Sequence, residues 1–177
     1  EDKKNLIQRL IASGISEIEV TSFVRNDRVP QLADAEQLVG VLPDVPNVRL
    51  LSLYLNPKGF ERAEKTGRLS NRGWLYASPS DTFLKNNSNT SLSELLSAVP
   101  TWCSVFRQYG KSAHGLMVST AFGCAYQGAI TVEEVKKVVQ RFQDALAKEG
   151  QVLREVCLAD TVGLATPRVI ETTVRAV

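Results

Sequence analysis

Apolar positions along the chain follow two alternating patterns, one helical and one strand-like. Residues 2–13 carry apolar side chains at helical spacing, and Gly14 fits the end of that helix. The segment 16–22 has the character of a short buried strand, yet Glu19 stands inside it. A carboxylate among apolar neighbours is costly to bury unless it is paired or faces a polar cavity. The first strand therefore raises the question of what Glu19 faces.

The alternation of helix and strand continues to the end of the chain. Further strands are predicted at 48–55, 72–78, 114–120 and 153–159. Further helices are predicted at 31–42, 58–66, 92–109 with an interruption near Pro100, 131–149 with a capping box from Thr131 to Glu134, and from Thr166-Pro167 onward. Residues 79–91 are predicted to be a polar loop. Alternating strands and helices indicate an α/β fold built from parallel strand–helix units.

Two α/β architectures fit this pattern, an open doubly wound sheet and a (β/α)₈ TIM barrel. No GxGxxG or GxxxxGK[ST] motif follows a strand, which weakens the case for a nucleotide-binding sheet. The 177 residues hold about five units, whereas a complete barrel needs about 250 residues. The barrel alternative is therefore a partial TIM barrel, expected to form one domain over residues 1–177.

Both architectures place their chemistry at the C-terminal ends of the strands. The polar residues predicted at those ends are Glu19 to Ser22, Asn56, Ser78 to Asp81, Ser119, Thr120, Asp160 and Thr161. Carboxylates there could orient a hydroxylated substrate, take a proton or lie near a metal ion. Each could equally hold loop backbone amides or pair with an arginine.

Three other features have structural and functional interpretations. The loop 122–129 contains Gly123 and Gly128, which allow either close backbone approach to a ligand or a tight turn. Its Cys124 has no histidine near it in sequence, and His114 is expected to be structural. Residues 80–89, with Lys85, could grip a phosphate or carboxylate, or could be a solvated loop before a helix capped by Ser91.

Composition narrows the class of partner and compartment. With 21 basic and 19 acidic residues the net charge is +2, which is no footprint for nucleic acid or an anionic membrane. No apolar run approaches the roughly 20 residues of a membrane span. Three widely spaced cysteines argue against a disulfide framework and for a reducing compartment, and together with a single histidine they do not predict a zinc site.

Six segments of the chain carry specific motifs: SGISEIEVTSFV (13–24), VPQLAD (29–34), NPKGFERA (56–63), SDTFLKNNSN (80–89), VSTAFGCAYQG (118–128) and LADTVGLATP (158–167). Together these segments resemble the 3-hydroxy-3-methylglutaryl-CoA (HMG-CoA) lyase family. They occur in the family's order and at about its spacing, and they span essentially the whole chain. The isopropylmalate and homocitrate synthases share the barrel but match these blocks less closely.

The resemblance implies a partial (β/α)₈ barrel comprising family strands two to six, without the first strand and the C-terminal units. It implies cleavage of HMG-CoA to acetoacetate and acetyl-CoA, as in leucine degradation and ketone-body formation. Mg²⁺ or Mn²⁺ would assist in the complete enzyme, with ligands outside this chain, so no metal is expected on residues 1–177. The resemblance further implies an acyl-CoA substrate, no nucleic-acid or membrane partner, a homodimer when complete, and the cytoplasm or mitochondrial matrix as location.

Carried over by position, the resemblance makes Glu19 and Asp160 catalytic, facing each other across the barrel mouth. The substrate-binding residues would be Ser22, Ser80, Lys85, Ser119 and Thr161. The chain departs from the family pattern at 25–28 (RNDR), at Ala125 and at Gln127, which bears on the exact substrate. A related acetyl-CoA-dependent condensing synthase and a catalytically inactive interaction module are the alternatives.

Overall fold

The computed structural model describes residues 1–177, in which eight α-helices alternate with five β-strands. The helices are α1 (Asp2–Ala12), α2 (Ala35–Val41), α3 (Pro57–Lys65), α4 (Asp81–Ser88), α5 (Leu92–Ser97), α6 (Val99–Gln108), α7 (Val132–Lys148) and α8 (Pro167–Ala176). The strands are β1 (Glu17–Ser22), β2 (Arg49–Leu53), β3 (Gly73–Ala77), β4 (Ala113–Val118) and β5 (Glu155–Leu158). Every strand pair is parallel, as the alternation of elements predicts.

The chain divides into two compact units, Glu1–Asn71 and Arg72–Val177. The first unit contains a two-stranded sheet, β1–β2, and the second a three-stranded sheet in the order β3–β4–β5. The assignment of one domain over residues 1–177 stays a prediction. None of the eight helices is both long enough and apolar enough to cross a bilayer.

The core of the first unit lies between its sheet and helices α1, α2 and α3. Two buried clusters form it, one of Ile7, Leu38, Leu42 and Leu50 and the other of Phe23, Ala35, Val39 and Ala63. Val20 of β1 packs against both clusters. Each large side chain buried in this way contributes roughly 1.5–3 kcal/mol of transfer free energy. The helix-facing side of β1 is thus fixed by apolar packing.

A β-bulge in β1 decides which of its polar residues share a face. Glu19 pairs with Leu51 and Thr21 pairs with Ser52, which leaves Val20 as an extra residue in the ladder. Val20 and Phe23 both pack toward the helices, although residues three apart in a regular strand lie on opposite faces. The bulge therefore places Glu19 and Ser22 together on the side away from the helices.

The second unit packs helices α6 and α7 against the three-stranded sheet. Its fully buried large side chains are Leu75, Val99, Phe106, Leu116, Val118, Val135, Phe142 and Leu146. Along β4, Leu116 and Val118 are buried whereas Met117 is partly exposed. The alternation indicates that β4 turns one face to the helices and the other face away from them.

The predicted polar loop at 79–91 is wrong, because residues 81–88 form α4. Ser80 begins this helix by accepting a hydrogen bond from the Phe83 N–H at 3.2 Å, and Asn89 ends it in the left-handed conformation with φ 52°. Leu84 anchors the helix in the core. Apart from Phe83 and Leu84, all eight positions of 80–89 are polar, and they conceal the short apolar face that makes this segment a helix.

The remaining element predictions differ from the structure mainly at their ends. The predicted helix 31–42 is divided into a 3₁₀ turn, Pro30–Leu32, and α2. The interruption near Pro100 is confirmed, since α5 ends at Ser97 and α6 begins at Val99. The capping box of α7 is also confirmed: Glu134 N–H donates to Thr131 Oγ1 at 3.3 Å, and Thr131 N–H donates to Glu134 Oε2 at 2.7 Å.

Candidate functional site

Glu19 carries an exposed carboxylate that has no hydrogen-bond or ion-pair partner. Its neighbour on the same strand, Glu17, pairs instead with Arg49. Desolvation by the surrounding protein raises the pKa of Glu19 above its ordinary value, and no nearby cation opposes this. A carboxylate of this kind is suited to accept and return a proton closer to neutral pH than an ordinary one.

Ser22 lies on the same face of β1 as Glu19, because of the bulge at Val20. Its hydroxyl is partly exposed and makes no hydrogen bond, so it remains available to a ligand. Thr21, between them, is buried at 6 % exposure and its Oγ1 has no partner within the protein. Glu19 and Ser22 are therefore two polar side chains without a protein partner on the helix-free face of β1.

Asp160 follows β5 and is exposed, not buried. Its Oδ1 accepts the N–H of Leu164 at 3.0 Å, and its Oδ2 accepts the N–H of Ala165 at 3.0 Å. Of the two interpretations drawn from the sequence, the structure displays the one in which the carboxylate holds loop amides. These bonds fix the orientation of the carboxylate and leave each oxygen one further lone pair for a substrate.

The three hydroxyl residues predicted in the second unit differ in what they already bind. Thr161 Oγ1 accepts the N–H of Thr120 at 2.8 Å. Ser80 Oγ caps α4 and also accepts a hydrogen bond from the Cys124 thiol, with 3.3 Å between Sγ and Oγ. The Ser119 hydroxyl has no partner, while its backbone N–H extends the β3–β4 ladder to Ala77 at 2.8 Å. Ser119 is therefore the most available of the three for a ligand.

Lys85 is placed on α4, not in a loop, and its side chain is exposed without an ion-pair partner. It makes no contact that would bring it to Ser80, Ser119, Asp160 or Thr161. Its role in substrate binding stays a prediction. So do the roles of the other residues and the placement of Glu19 across from Asp160, since these two lie in different units.

Cys124 is buried and hydrogen-bonded to its surroundings. Burial raises the pKa of the thiol, but hydrogen bonds with Ser80 and from the backbone of Tyr126 and Gln127 outweigh it, so its pKa lies below the ordinary value. The cysteine is inaccessible at 1 % exposure. It consequently serves the local hydrogen-bond network and is not presented to a substrate.

His114 lies at the N-terminal end of β4, away from the strand ends where the site is expected. Its Nε2 is 2.9 Å from Glu155 Oε2 and 3.2 Å from Arg72 Nη1, and its ring meets Trp74 edge to face with centroids 5.9 Å apart. These contacts suit the structural role expected of it. At this face of a parallel sheet, such polar clusters serve stability.

Two further observations bear on ligand binding. No group of three histidine, cysteine, aspartate or glutamate side chains lies close enough together to hold a metal ion. A surface groove of about 330 Å³ lies between Leu92 of α5 and the exposed face of α7 near Val138. None of the predicted site residues lines this groove. Because no group of three such side chains lies close together, the residues of this chain alone do not fit a resident divalent cation.

The sequence placed Ser78 and Thr120 at strand ends but did not predict that they bind each other. Both side chains are fully buried, and Ser78 Oγ lies 2.7 Å from Thr120 Oγ1. Their sole signal in the sequence is that each hydroxyl stands at the end of an apolar strand. A hydrogen bond between residues 42 positions apart cannot be inferred from such a signal.

The parallel strand–helix units, with hydroxyl and carboxylate residues at the strand ends, define an α/β chain of the TIM-barrel type. Residues 1–177 match the family model described as HMGL-like, and the chain belongs to that family. It is 34% identical over 165 residues to the cytoplasmic 3-hydroxy-3-methylglutaryl-CoA lyase of Mus musculus, covering 93% of this chain and 46% of that protein. It is 31% identical over 175 residues to the mitochondrial hydroxymethylglutaryl-CoA lyase of Homo sapiens, covering 99% and 51%.

Solved structures give the same result. The hydroxymethylglutaryl-CoA lyase of Pseudomonas aeruginosa superposes with a TM-score of 0.80 at 31% identity, covering 99% of this chain and 57% of that one. The HMG-CoA lyase of Brucella melitensis gives 0.83 at 30%, covering 99% and 59%. The resemblance and the fold class, a partial TIM barrel, are thereby confirmed. The chain spans about half the length of the relatives that it matches.

Proposed function

We propose that the complete protein to which these residues belong cleaves 3-hydroxy-3-methylglutaryl-CoA to acetoacetate and acetyl-CoA. The observation that carries the proposal is Glu19, an unpaired carboxylate with a raised pKa on the helix-free face of β1. It occurs in a chain that matches the HMGL-like family from end to end. A related structure, the HMG-CoA lyase of Acinetobacter baumannii, was solved with coenzyme A and 3-methylmalate, which supports an acyl-CoA substrate.

The cleavage requires a proton to leave the tertiary hydroxyl of the substrate as the carbon–carbon bond breaks. Glu19 accepts that proton, because its raised pKa makes it a stronger base than an ordinary carboxylate. The O–H bonding pair forms the C=O bond of acetoacetate, and the electron pair of the broken carbon–carbon bond passes to the enolate of acetyl-CoA. That enolate takes up one proton and Glu19 releases the one that it accepted, so that no net proton is gained or lost.

The other residues bind and orient the substrate in this proposal. Ser22 and Ser119 donate hydrogen bonds from hydroxyls that are otherwise free, and Asp160 presents a carboxylate held by two backbone amides. Thr161 keeps its O–H group available while its oxygen accepts a local hydrogen bond. Ser80 is fully buried, so in this proposal it acts by fixing the start of α4 beside the substrate. Lys85 offers a positive charge to an anionic part of the substrate.

The complete enzyme is further proposed to depend on Mg²⁺ or Mn²⁺ held by ligands other than residues 1–177. It is proposed to be a homodimer in the cytoplasm or mitochondrial matrix. Names of the relatives that specify either compartment support this location. Chelation followed by readdition of each metal to the complete gene product tests the metal requirement, and a product fully active in chelator would contradict it.

The direct test compares Glu19→Gln with Glu17→Gln in the complete gene product. Both substitutions remove one carboxylate from β1, but Glu17 lies at the start of the strand and is engaged by Arg49. Acetoacetate release from HMG-CoA is measured at saturating substrate. We expect kcat to fall by about 10²–10⁴ for Glu19→Gln and to stay within about threefold of wild type for Glu17→Gln.

Three results would contradict the proposal, and the first two are specific to the chemistry. One is a wild-type kcat in the Glu19→Gln variant. The second is a complete product that leaves HMG-CoA intact but condenses acetyl-CoA with a 2-oxo acid, which would identify a condensing synthase. The third is a complete product with neither activity, which would favour the inactive interaction module.

A further inference from the structure

Three hydroxyl residues connect the ends of β3, β4 and β5 in the second unit. Ser78 Oγ lies 2.7 Å from Thr120 Oγ1, and the backbone N–H of Thr120 donates to Thr161 Oγ1 at 2.8 Å. Ser78 and Thr120 are both 0 % exposed. We call Ser78, Thr120 and Thr161 the hydroxyl chain. Because a buried hydroxyl is costly to leave unpaired, Ser78 and Thr120 hold each other in place.

Ser78 is itself fixed by a second bond. The N–H of Ser80 donates to Ser78 Oγ at 3.0 Å, so the hydroxyl is tied to the backbone that enters α4. A hydroxyl offers one donor and two acceptor positions. Ser78 uses them to bind the N–H of Ser80 after β3 and the hydroxyl of Thr120 after β4. The hydroxyl chain thus begins at a rigid point of the fold.

Thr120 adopts a backbone conformation that β-branched residues rarely take. Its φ is 54°, in the left-handed region, where glycine or asparagine is accommodated at lower cost. Strain of this kind persists only where the surroundings over-determine it, and it is a clue to function when it is observed. At this position the threonine supplies a hydroxyl to Ser78 and directs its N–H to Thr161.

The segment that Thr120 holds is 160–165. Thr161 directly follows Asp160, whose carboxylate accepts the N–H groups of Leu164 and Ala165. The segment also lies against Gly123, where an added Cβ would come within 2.7 Å of Leu164 Cδ1. It is therefore positioned from one side by the hydroxyl chain and from the other by close packing on a glycine.

We propose that Ser78 and Thr120 are positioning residues, which set the place of segment 160–165, and with it the Asp160 carboxylate, against the end of β4. They act through Thr161 and do not touch the substrate. The consequence for catalysis rests on the proposed lyase function of Asp160. The consequence for the order of segment 160–165 does not rest on it, and it can be measured in the complete gene product without substrate.

The test is amide hydrogen exchange of Leu164 and Ala165, whose N–H groups bind Asp160, in a matched pair of variants. Thr120→Ala and Thr120→Ser both remove the β-branch and differ in the hydroxyl alone. We expect Thr120→Ala and Ser78→Ala to speed exchange of both amides by about tenfold or more through local opening. Thr120→Ser should stay within about threefold of wild type, and exchange at Leu116 in β4 should not change in any variant.

Unchanged exchange at Leu164 and Ala165 in Thr120→Ala would overturn the inference. So would an equal increase at Leu116, since that shows a general loss of stability and not local positioning. If Thr120→Ala fails to fold, Thr161→Val and Thr161→Ser replace it, because Thr161 is exposed and unstrained and Val replaces its hydroxyl by a methyl group of similar size.

Kinetics of the complete gene product separate this inference from the proposed function. A lower kcat in Thr120→Ala that Thr120→Ser restores supports both. Local exchange effects in a product that never cleaves HMG-CoA support the positioning role and reject the lyase role. Normal exchange with normal lyase activity rejects the positioning role alone.

Discussion

Two glutamates on one strand differ in environment because they face different partners in the ladder. Glu17 pairs in register with Arg49 and forms an ion pair with it, whereas Glu19 pairs with Leu51 and meets no cation. Desolvation therefore acts on Glu19 unopposed, and its pKa is raised. Glu19 could be singled out from the sequence because it is a carboxylate within an apolar strand. Its lack of a partner could not, because that depends on the register of β1 against β2.

The raised pKa makes stability depend on pH in a defined direction. The folded state favours the protonated form of Glu19, so its contribution to stability is present below the ordinary carboxyl pKa of 4.5 and is lost as pH rises through the raised folded pKa. Glu19→Gln has no carboxyl group to ionise at this position, so the variant does not undergo the decrease in stability that wild type shows as pH rises. Urea unfolding at pH 4 and pH 7 should show the variant gaining stability relative to wild type at the higher pH.

The matched control for this experiment is Glu17→Gln, which removes a carboxylate of the same strand that forms an ion pair with Arg49. Its difference from wild type should not increase in favour of the variant between the two pH values. A Glu19→Gln variant whose difference from wild type is the same at pH 4 and pH 7 would show that the pKa of Glu19 is not raised.

Among the elements, those whose signals are local could be predicted from the sequence. Helix α7 was predicted at 131–149 and spans Val132–Lys148, because its amphipathic pattern and its capping box are both written in consecutive residues. Helix α4 was missed, since its polar composition hides a single buried Leu84. The bulge at Val20 could not be predicted, because it is a property of two paired strands.

Loss of the α7 capping box should cost a measurable fraction of the stability of the second unit. Thr131→Ala removes the hydroxyl that accepts the N–H of Glu134. We expect the free energy of unfolding to fall by about 1 kcal/mol. Urea denaturation with Gln143→Ala as control, at an exposed position of the same helix, checks this. An effect no larger than that of the control would show that the box does not stabilise the helix.

For the whole molecule, the alternation of elements was sufficient to predict the α/β class, and the motif blocks were sufficient to predict the family. The division into two compact units was not predicted. Hydrophobic periodicity reports which face of an element is buried, but not which elements pack together most densely. The hydroxyl chain escaped prediction for the same reason, because it joins residues from three separate strand ends.

Helix α8 exposes an apolar face that should make the chain prone to self-association. Val169, Ile170 and Val174 are 40 %, 42 % and 58 % exposed. Replacing Ile170 and Val174 by lysine should lower the binding of a hydrophobic dye and the concentration dependence of light scattering, with Tm unchanged. Thr172→Lys adds charge at a neighbouring exposed position as the control. Equal effects of the control would assign the change to net charge.

The bulge in β1 also has a genetic consequence. Val20 is the surplus residue of the ladder, so an in-frame loss of codon 20 would leave Glu19 opposite Leu51 and Thr21 opposite Ser52. The shortened strand would lose the packing of one valine, yet its carboxylate and its serine would still face the same side. A strand without this surplus residue would instead be turned over by the same deletion.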